Sequence, residues 1–421
     1  MRLLPDFGPA RENPAYRRLL IGGNLSNIGS SMTTFAVMLQ VWDISRSSFA
    51  VGALGFTFIP AVIVGLIGGS VADKVDRRKL TLILSSCLAG VSATFAVQAF
   101  AGSRLLWPLY LLVMIQSVLS AIVAPARKTF MPRLLPKEQL RAGIALQVLS
   151  GRITMLTGPA LAGVVAGAWG LKVCYVIDAV SFAAALYATA RLPAMLPAAA
   201  GAARARTMHS VAEGLHYIRR HPVLLASFLM DFDAMLLGLP TALFPALNAE
   251  HFGGRPQTLG LLTAAVGVGG MFSAVLSGPV GRIRRHGIGM LTGTVIWGAA
   301  IAVFGLARNL PLALGMLALA GSADTLTVTF RGSMVQIITP DEFRGRVNSV
   351  EYIIGAGGSP IGNVEAGAVA ALTSPVFSAV SGGIGCVAGA ALIGLAFPAF
   401  RHYHGQAATR PKPTMAAASA S

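Results

Sequence analysis

Residues 49–101 read FAVGALGFTFIPAVIVGLIGGSVADKVDRRKLTLILSSCLAGVSATFAVQAFA. Two apolar runs, Phe49 to Ala72 and Leu80 to Ala101, flank a short turn holding Lys74, Arg77, Arg78 and Lys79. Each run reaches the roughly 20 residues that a helix needs to cross the hydrocarbon of a bilayer. Moving flanking cations across that hydrocarbon is unfavourable, so a short basic turn stays on the cytoplasmic side. The stretch therefore reads as two membrane-spanning helices joined in the cytoplasm.

The pattern continues in both directions. Further apolar runs extend from Leu19 to Val41, Leu105 to Ala126, Gly143 to Gly167, Val173 to Leu192, Val223 to Leu247, Thr258 to Val280, Ile288 to Ala307, Leu310 to Phe330, Val347 to Ala371 and Val376 to Pro398. With the first two they make twelve expected spans. Most of the 33 Lys and Arg residues lie on alternate connections, and the intervening ones hold only Arg46, Arg104, Lys172, Arg255 and Arg308. This asymmetry predicts an all-α protein of the cell (inner) membrane with both termini cytoplasmic. The only long basic connection mid-chain divides it into a six-helix half at 1–192, a cytoplasmic linker at 193–221 and a second six-helix half at 222–400. The Ala-, Ser- and Pro-rich residues 401–421 read as a disordered cytoplasmic tail.

The composition agrees. Of 421 residues 54% are hydrophobic and 12% charged, against about 25% charged in a soluble domain. A formal charge of +17 would suit nucleic acid if it were clustered, but here it is partitioned by topology, which argues for a bilayer partner and against nucleic acid. Cys87, Cys174 and Cys386 are isolated in apolar stretches, so neither a disulfide framework nor a metal site is expected. No cofactor is implied. Met1 to Arg18 lacks a cleavable signal pattern, so the first apolar run is expected to remain in the mature protein.

The halves share a register. At an offset of 204 residues Arg127 faces Arg331, Pro136 Pro340, Glu138 Glu342, Gln147 Glu351, Gly151 Gly355, Gly158 Gly362 and Gly163 Gly367. A duplicated unit explains charged matches in so apolar a chain. Parallel six-helix repeats are a transporter architecture, with the substrate held between them near mid-membrane.

Gly69, Ala72-Asp73-Lys74 and the pair Arg77-Arg78 resemble the loop signature of the major facilitator superfamily, in which the carboxylate and cations form a gating cluster. The later Gly278-Pro279-Val280-Gly281-Arg282 lacks the Asp. Gly158-Pro159-Ala160-Leu161-Ala162-Gly163 is similar to the superfamily's antiporter motif, with Val164 where a second Gly is usual. The fourth run has no cation, unlike many exporters. Thr339 to Val347, Ala323-Asp324, Asp231 and Phe244-Pro245-Ala246 resemble the drug and siderophore exporter branch, of macrolide-efflux and enterobactin-exporter type. The resemblance spans almost the whole chain and implies alternating access.

Ionisable residues at membrane depth are costly and so are functional candidates. Arg152, Asp178, Asp231, Asp233, Asp324, Glu351 and Glu365 qualify, whereas all seven histidines fall outside the expected spans. Glu351, Gly355, Gly358, Gly362 and Glu365 step by four, three, four and three along one helix stripe. Glu365, with no packing reason to be there, is the first choice for proton coupling or substrate contact, with Asp231, Glu351, Asp324 and Arg152 beside it. Asp231 and Asp233 lie about 200° apart, so only one faces the cavity; Asp231 is the choice. Asp178 reads as a hydrogen-bond partner of a neighbouring helix, and Asp324 as an alternative ion-pair partner of Arg331.

The expected function is secondary active export of an amphipathic small molecule, drug-like or siderophore-like, by a monomeric proton antiporter. Lysolipid transport is the alternative within transport, and a non-transporting receptor or scaffold the alternative outside it. No His or Cys in the expected spans is arranged as nucleophile and base, and no His cluster suits a metal, so an enzyme is not expected. A reporter fused after Arg220 is predicted to behave as cytoplasmic and one at Arg255 as external; the reverse at either site would overturn the twelve-span topology.

Overall fold

The computed structural model describes residues 6–72, 75–195, 208–238, 240–275 and 285–405. These residues form helices and no strand. In chain order the longer helices are α1 (Pro14–Ser45), α2 (Ser48–Ala53), α3 (Ile59–Ala72), α4 (Arg77–Phe100), α5 (Trp107–Lys128), α6 (Leu140–Trp169), α7 (Leu171–Ala190) and α8 (Met208–Arg220). They continue as α9 (Pro222–Leu237), α10 (Phe244–His251), α11 (Pro256–Val275), α12 (His286–Leu306), α13 (Leu310–Ile338), α14 (Asp341–Leu372) and α15 (Pro375–Ala396).

Local chemistry sets the helix starts. Asn13 accepts from the N–H groups of Ala15 and Tyr16 ahead of Pro14 at the first position of α1. Asn309 caps α13 and Ser374 caps α15 in the same way, each with a proline in the first turn. A capping side chain satisfies donors that have no partner in the helix, and proline lacks one to satisfy. Gly170, at φ +85, makes the turn from α6 to α7 that a residue with a β-carbon would resist.

Among the described residues nine helical segments are long and apolar enough to cross a membrane. Exposed Ile83, Val97, Val180, Leu392 and Leu395 give them an apolar outer surface, as hydrocarbon contact demands. The chain is thus a multi-pass membrane protein. Three other helices, α1, α11 and α14, are 32, 20 and 32 residues long and stand outside the nine. Two of them carry polar side chains that line cavities, such as Asn24 and Asn27 on α1 and Glu351 on α14.

Two expected spans are broken. Phe49 to Ala72 is interrupted by a 3₁₀ turn at Leu54–Phe58, and Val223 to Leu247 divides into α9, a 3₁₀ turn at Thr241–Leu243 and α10. Pro240 supplies no amide hydrogen to continue α9. The expected linker 193–221 contains α8, which docks on α14: Arg346 Nε meets Glu213 Oε2 at 2.8 Å, and Ile218 packs among Val335, Val347 and Val350. Most of the tail, 406–421, lies outside the described residues.

The early helices pack mainly on one another, α1 against α7 and α6, and α4 against α7 and α5. The later ones do likewise, α13 against α11 and α12, and α12 against α15. The two groups meet along α6 with α11 and along α14 with α2. At the first seam a β-carbon on Gly163 would fall 2.9 Å from the Gly260 Cα, too close for a backbone contact. Gly163→Leu is therefore expected to force these helices apart, lowering stability by about 1–3 kcal/mol as overpacking does. Thermal unfolding of the purified protein measures it, and an unchanged midpoint would show that the seam is loose.

Candidate functional site

A buried charge cluster lies near the end of the bundle where α13 hands over to α14. Arg331 of α13 places Nη1 3.1 Å from Asp231 Oδ2 of α9 and 3.4 Å from Glu351 Oε1 of α14. The Arg331 and Asp231 side chains are each 8% exposed, whereas Glu351 is 35% exposed and opens onto a side cavity with Arg344 and Asn348. The guanidinium also stands over the Phe228 ring, 5.9 Å from its centroid. Asp324, two turns before Arg331 on α13, is within electrostatic reach of Asp231, Arg152 and Arg331. Arg152 extends from α6 toward Gly270 of α11, next to Thr325. Two cations thus face three carboxylates, contributed by α6, α9, α13 and α14.

Four of the five expected coupling residues, Asp231, Asp324, Glu351 and Arg152, therefore come together. The sequence reading named Arg331 only as a partner for Asp324 and missed its pairing with Asp231 and Glu351. Arg331 falls one residue past the expected tenth span and reads as a loop cation, yet α13 continues to Ile338 and buries it. Its 204-residue match to Arg127, beside the match of Gln147 to Glu351, was the available signal. Glu365 stands apart, half-buried and seven residues before the end of α14, lining neither the side cavity nor the central one.

The central cavity has a volume of about 630 Å³ and lies between α1, α2, α3, α5 and α14, with Thr241 at its edge. Its polar lining consists of hydroxyls and amides, among them Ser30, Thr34, Gln116, Ser120, Ser359 and Asn363, and no acidic, basic or imidazole side chain is among its described lining residues. Asn363 is fixed by Thr241, whose hydroxyl donates to its Oδ1 at 2.8 Å, and by the Ala242 N–H at 2.9 Å. Tyr352, the residue after Glu351, lines this cavity, so one residue step in α14 separates cavity from cluster. Pairs four apart inside apolar spans, such as Ser30 with Thr34 and Ser359 with Asn363, were the signal for these walls.

The remaining candidates have other surroundings. Asp178 is fully buried and accepts from Thr33 Oγ1 at 2.8 Å, Ser92 Oγ at 2.7 Å and Ser30 Oγ at 3.2 Å, tying α7 to α1 and α4. Asp233 turns away from Asp231 and packs against Gly389 of α15. In the loop motif, Gly69 lies in the last turn of α3 and Asp73 lies outside the described residues. Arg77 and Arg78 open α4, where Asp76 accepts from the Arg78 N–H at 2.9 Å and the Met195 N–H at 3.3 Å. Arg78 Nη2 donates to the Ala190 carbonyl at 2.6 Å. This turn is thereby fastened to the end of α7. Gly158 meets Ser31 of α1, with Pro159 buried beside it, and Gly358 and Gly362 meet Met235 and Leu236. Gly355 instead faces the central cavity.

Comparison with known proteins agrees with this architecture. The family described as transmembrane secretion effector (MFS_3) matches residues 5–418. The chain belongs to that family. It is 27% identical over 400 residues to the enterobactin exporter EntS of Escherichia coli (strain K12), covering 93% of this chain and 94% of that protein. EntS of Shigella dysenteriae serotype 1 (strain Sd197) has the same identity and coverage. Among solved structures, the nucleoside transporter NupG superposes with a TM-score of 0.72 at 14% identity, covering 92% of this chain and 99% of that one. A bacterial homologue of the iron transporter ferroportin in an inward-facing state gives 0.68 at 16% identity, covering 92% and 98%. The chain is a membrane transporter of the major facilitator type, a siderophore and drug exporter relative, and not an enzyme.

Replacing Arg331 by Met would leave Asp231 buried without its cation, a loss of about 3–5 kcal/mol for a broken buried pair. The double variant Asp231→Asn, Arg331→Met is expected to recover most of the unfolding temperature lost by Arg331→Met alone. Equal losses in both would show that the pair does not hold α9 to α13.

Proposed function

We propose that the chain is a twelve-helix exporter working by alternating access between two six-helix halves, expelling an amphipathic small molecule, drug-like or siderophore-like, in exchange for protons. On this reading α1, α11 and α14 complete the nine apolar segments to twelve. Both termini face the cytoplasm, and a monomer suffices. The observation that carries the proposal is the 630 Å³ cavity between the two helix groups, mostly apolar with scattered hydroxyl and amide groups, one residue step from a buried charge cluster. Such walls suit a ligand with an extended apolar surface and several hydrogen-bonding groups.

Proton coupling falls to the cluster. Two cations against three carboxylates leave one negative charge in surplus, and an uncompensated charge away from water is expensive. A proton arriving at Asp231, Asp324 or Glu351 removes that surplus, and at Asp231 or Glu351 it also loosens the hold of Arg331 on α9 or α14. Because Arg331 bridges both helices, the protonation state is tied to their relative position. The Asp73, Arg77 and Arg78 turn acts as the gate at the same side of the membrane.

Proteoliposomes loaded with enterobactin-type catecholates or macrolides test the reading. The protein is expected to concentrate substrate across the membrane when a pH gradient is imposed. Asp231→Asn should abolish that uphill movement yet retain downhill exchange, which needs no proton release, whereas Glu365→Gln should retain both. Loss of uphill transport in Glu365→Gln with Asp231→Asn unaffected would return the coupling role to Glu365. Competition by lysolipid but by neither drug nor siderophore would identify a lipid transporter, and absence of any flux would favour the receptor or scaffold reading.

A further inference from the structure

The later helix group compensates its buried arginine with two carboxylates, and among the described residues the earlier group does not. The offset of 204 residues that pairs Arg127 with Arg331 and Gln147 with Glu351 also pairs Asn27 with Asp231. Both acids around Arg331 are therefore matched by amides of nearly the same shape. The three matched residues share one site: Asn27 of α1, Arg127 of α5 and Gln147 of α6 all line one cavity of about 290 Å³.

The electrostatics of the cavity are one-sided. Arg127 Nη2 donates to Ser85 Oγ at 2.9 Å, and among the described residues no carboxylate pairs with it. The other polar walls are Asn24, whose Nδ2 donates to Ser150 Oγ at 3.0 Å, Ser150 itself, and Tyr16 and Thr189, whose hydroxyls donate to the Gly143 and Ala185 carbonyls. A partly buried cation thus faces a space whose described walls carry amides and hydroxyls and no acid. Removing a cation from water without a counter-ion is unfavourable, and a guanidinium fork matches the paired oxygens of an oxyanion.

We propose that this cavity is a binding site for a phosphate-type oxyanion, held by Arg127 with Asn27 and Gln147, its charge standing where Asp231 and Glu351 stand around Arg331. The phosphate comes from one of two sources, the headgroup of an anionic phospholipid or the free anion. The site is distinct from the central cavity, with which it shares no described lining residue.

Binding is measured on the full chain purified in a maltoside detergent in phosphate-free buffer, through the unfolding temperature at matched ionic strength. The probes are inorganic phosphate, short-chain phosphatidylglycerol and uncharged diacylglycerol. The unfolding temperature is expected to rise with at least one of the two phosphate probes and not with diacylglycerol. A response to inorganic phosphate alone assigns the free anion, to phosphatidylglycerol alone the lipid headgroup; either supports the site, as does a response to both. Gln147→Glu and, separately, Asn27→Asp install the carboxylate that the later group has, and each should weaken binding about tenfold or more, ~1.4 kcal/mol. The two variants guard against one of them failing to fold. No response to either phosphate probe, a response equalled by diacylglycerol, or wild-type affinity in both variants would overturn the proposal.

Discussion

Hydrocarbon offers no hydrogen bonds, so each polar group carried into the bundle needs a partner from another helix, and those partnerships dictate how the helices sit. Asp178 shows the constraint at its strongest. Its carboxylate is fully buried and takes three hydroxyls, two from α1 and one from α4, so α7 cannot rotate or slide without leaving an acceptor unsatisfied. Nearby, Tyr175 donates to Gln40 at 2.7 Å and Gln40 to Gln98 at 3.2 Å, linking the same three helices a second time. Van der Waals contact alone gives apolar helices weak orientation in lipid; these polar ties supply it.

The same constraint separates shape from charge. The central cavity keeps ionisable groups out of its described walls, and the charges gather around Arg331 instead. On the proposed reading, a ligand is recognised by apolar surface and by hydroxyl and amide contacts. A charged wall would favour ligands of one sign and would bind a proton or an ion whether or not substrate was present. On that reading, placing Glu351 one residue step from Tyr352 on α14 lets one helix report both states.

The fold was legible because its determinants are local. Apolar length and the distribution of Lys and Arg are read within one segment, and they gave an all-helical chain that crosses the membrane many times. The breaks in the second and seventh runs escaped because Leu54–Phe58 stays apolar through the 3₁₀ turn, leaving hydropathy unchanged where the hydrogen bonding shifts. Arg331 escaped for a different reason. A cation next to a span end reads as loop, and only the packing of α9 and α14 over the end of α13 turns it into a buried centre. Asp231 lies 100 positions before it in sequence, a pairing that no local pattern encodes. The 204-residue register carried part of that information, since a charged match in an apolar repeat marks a position whose surroundings recur.

That recurrence also exposes a division of labour. The earlier helices hold their cation among amides and hydroxyls, and their acids serve elsewhere, Asp178 in packing and Asp76 in fastening the α3–α4 turn to the end of α7. The later helices hold the acids against Arg331. If both groups carried the full set of charges, each would respond to protonation, and a single proton would be shared between two equivalent sites. With acids on one side only, on the proposed mechanism, protonation acts on α9, α13 and α14 and is passed to the earlier helices through the α14–α2 and α6–α11 seams. Arg152, on α6 but facing α11 and Asp324, is the one cluster member from the earlier group, so the cluster touches the second of those seams directly. A change of charge there need not travel through a long chain of residues, because the seam that must open is already part of the site.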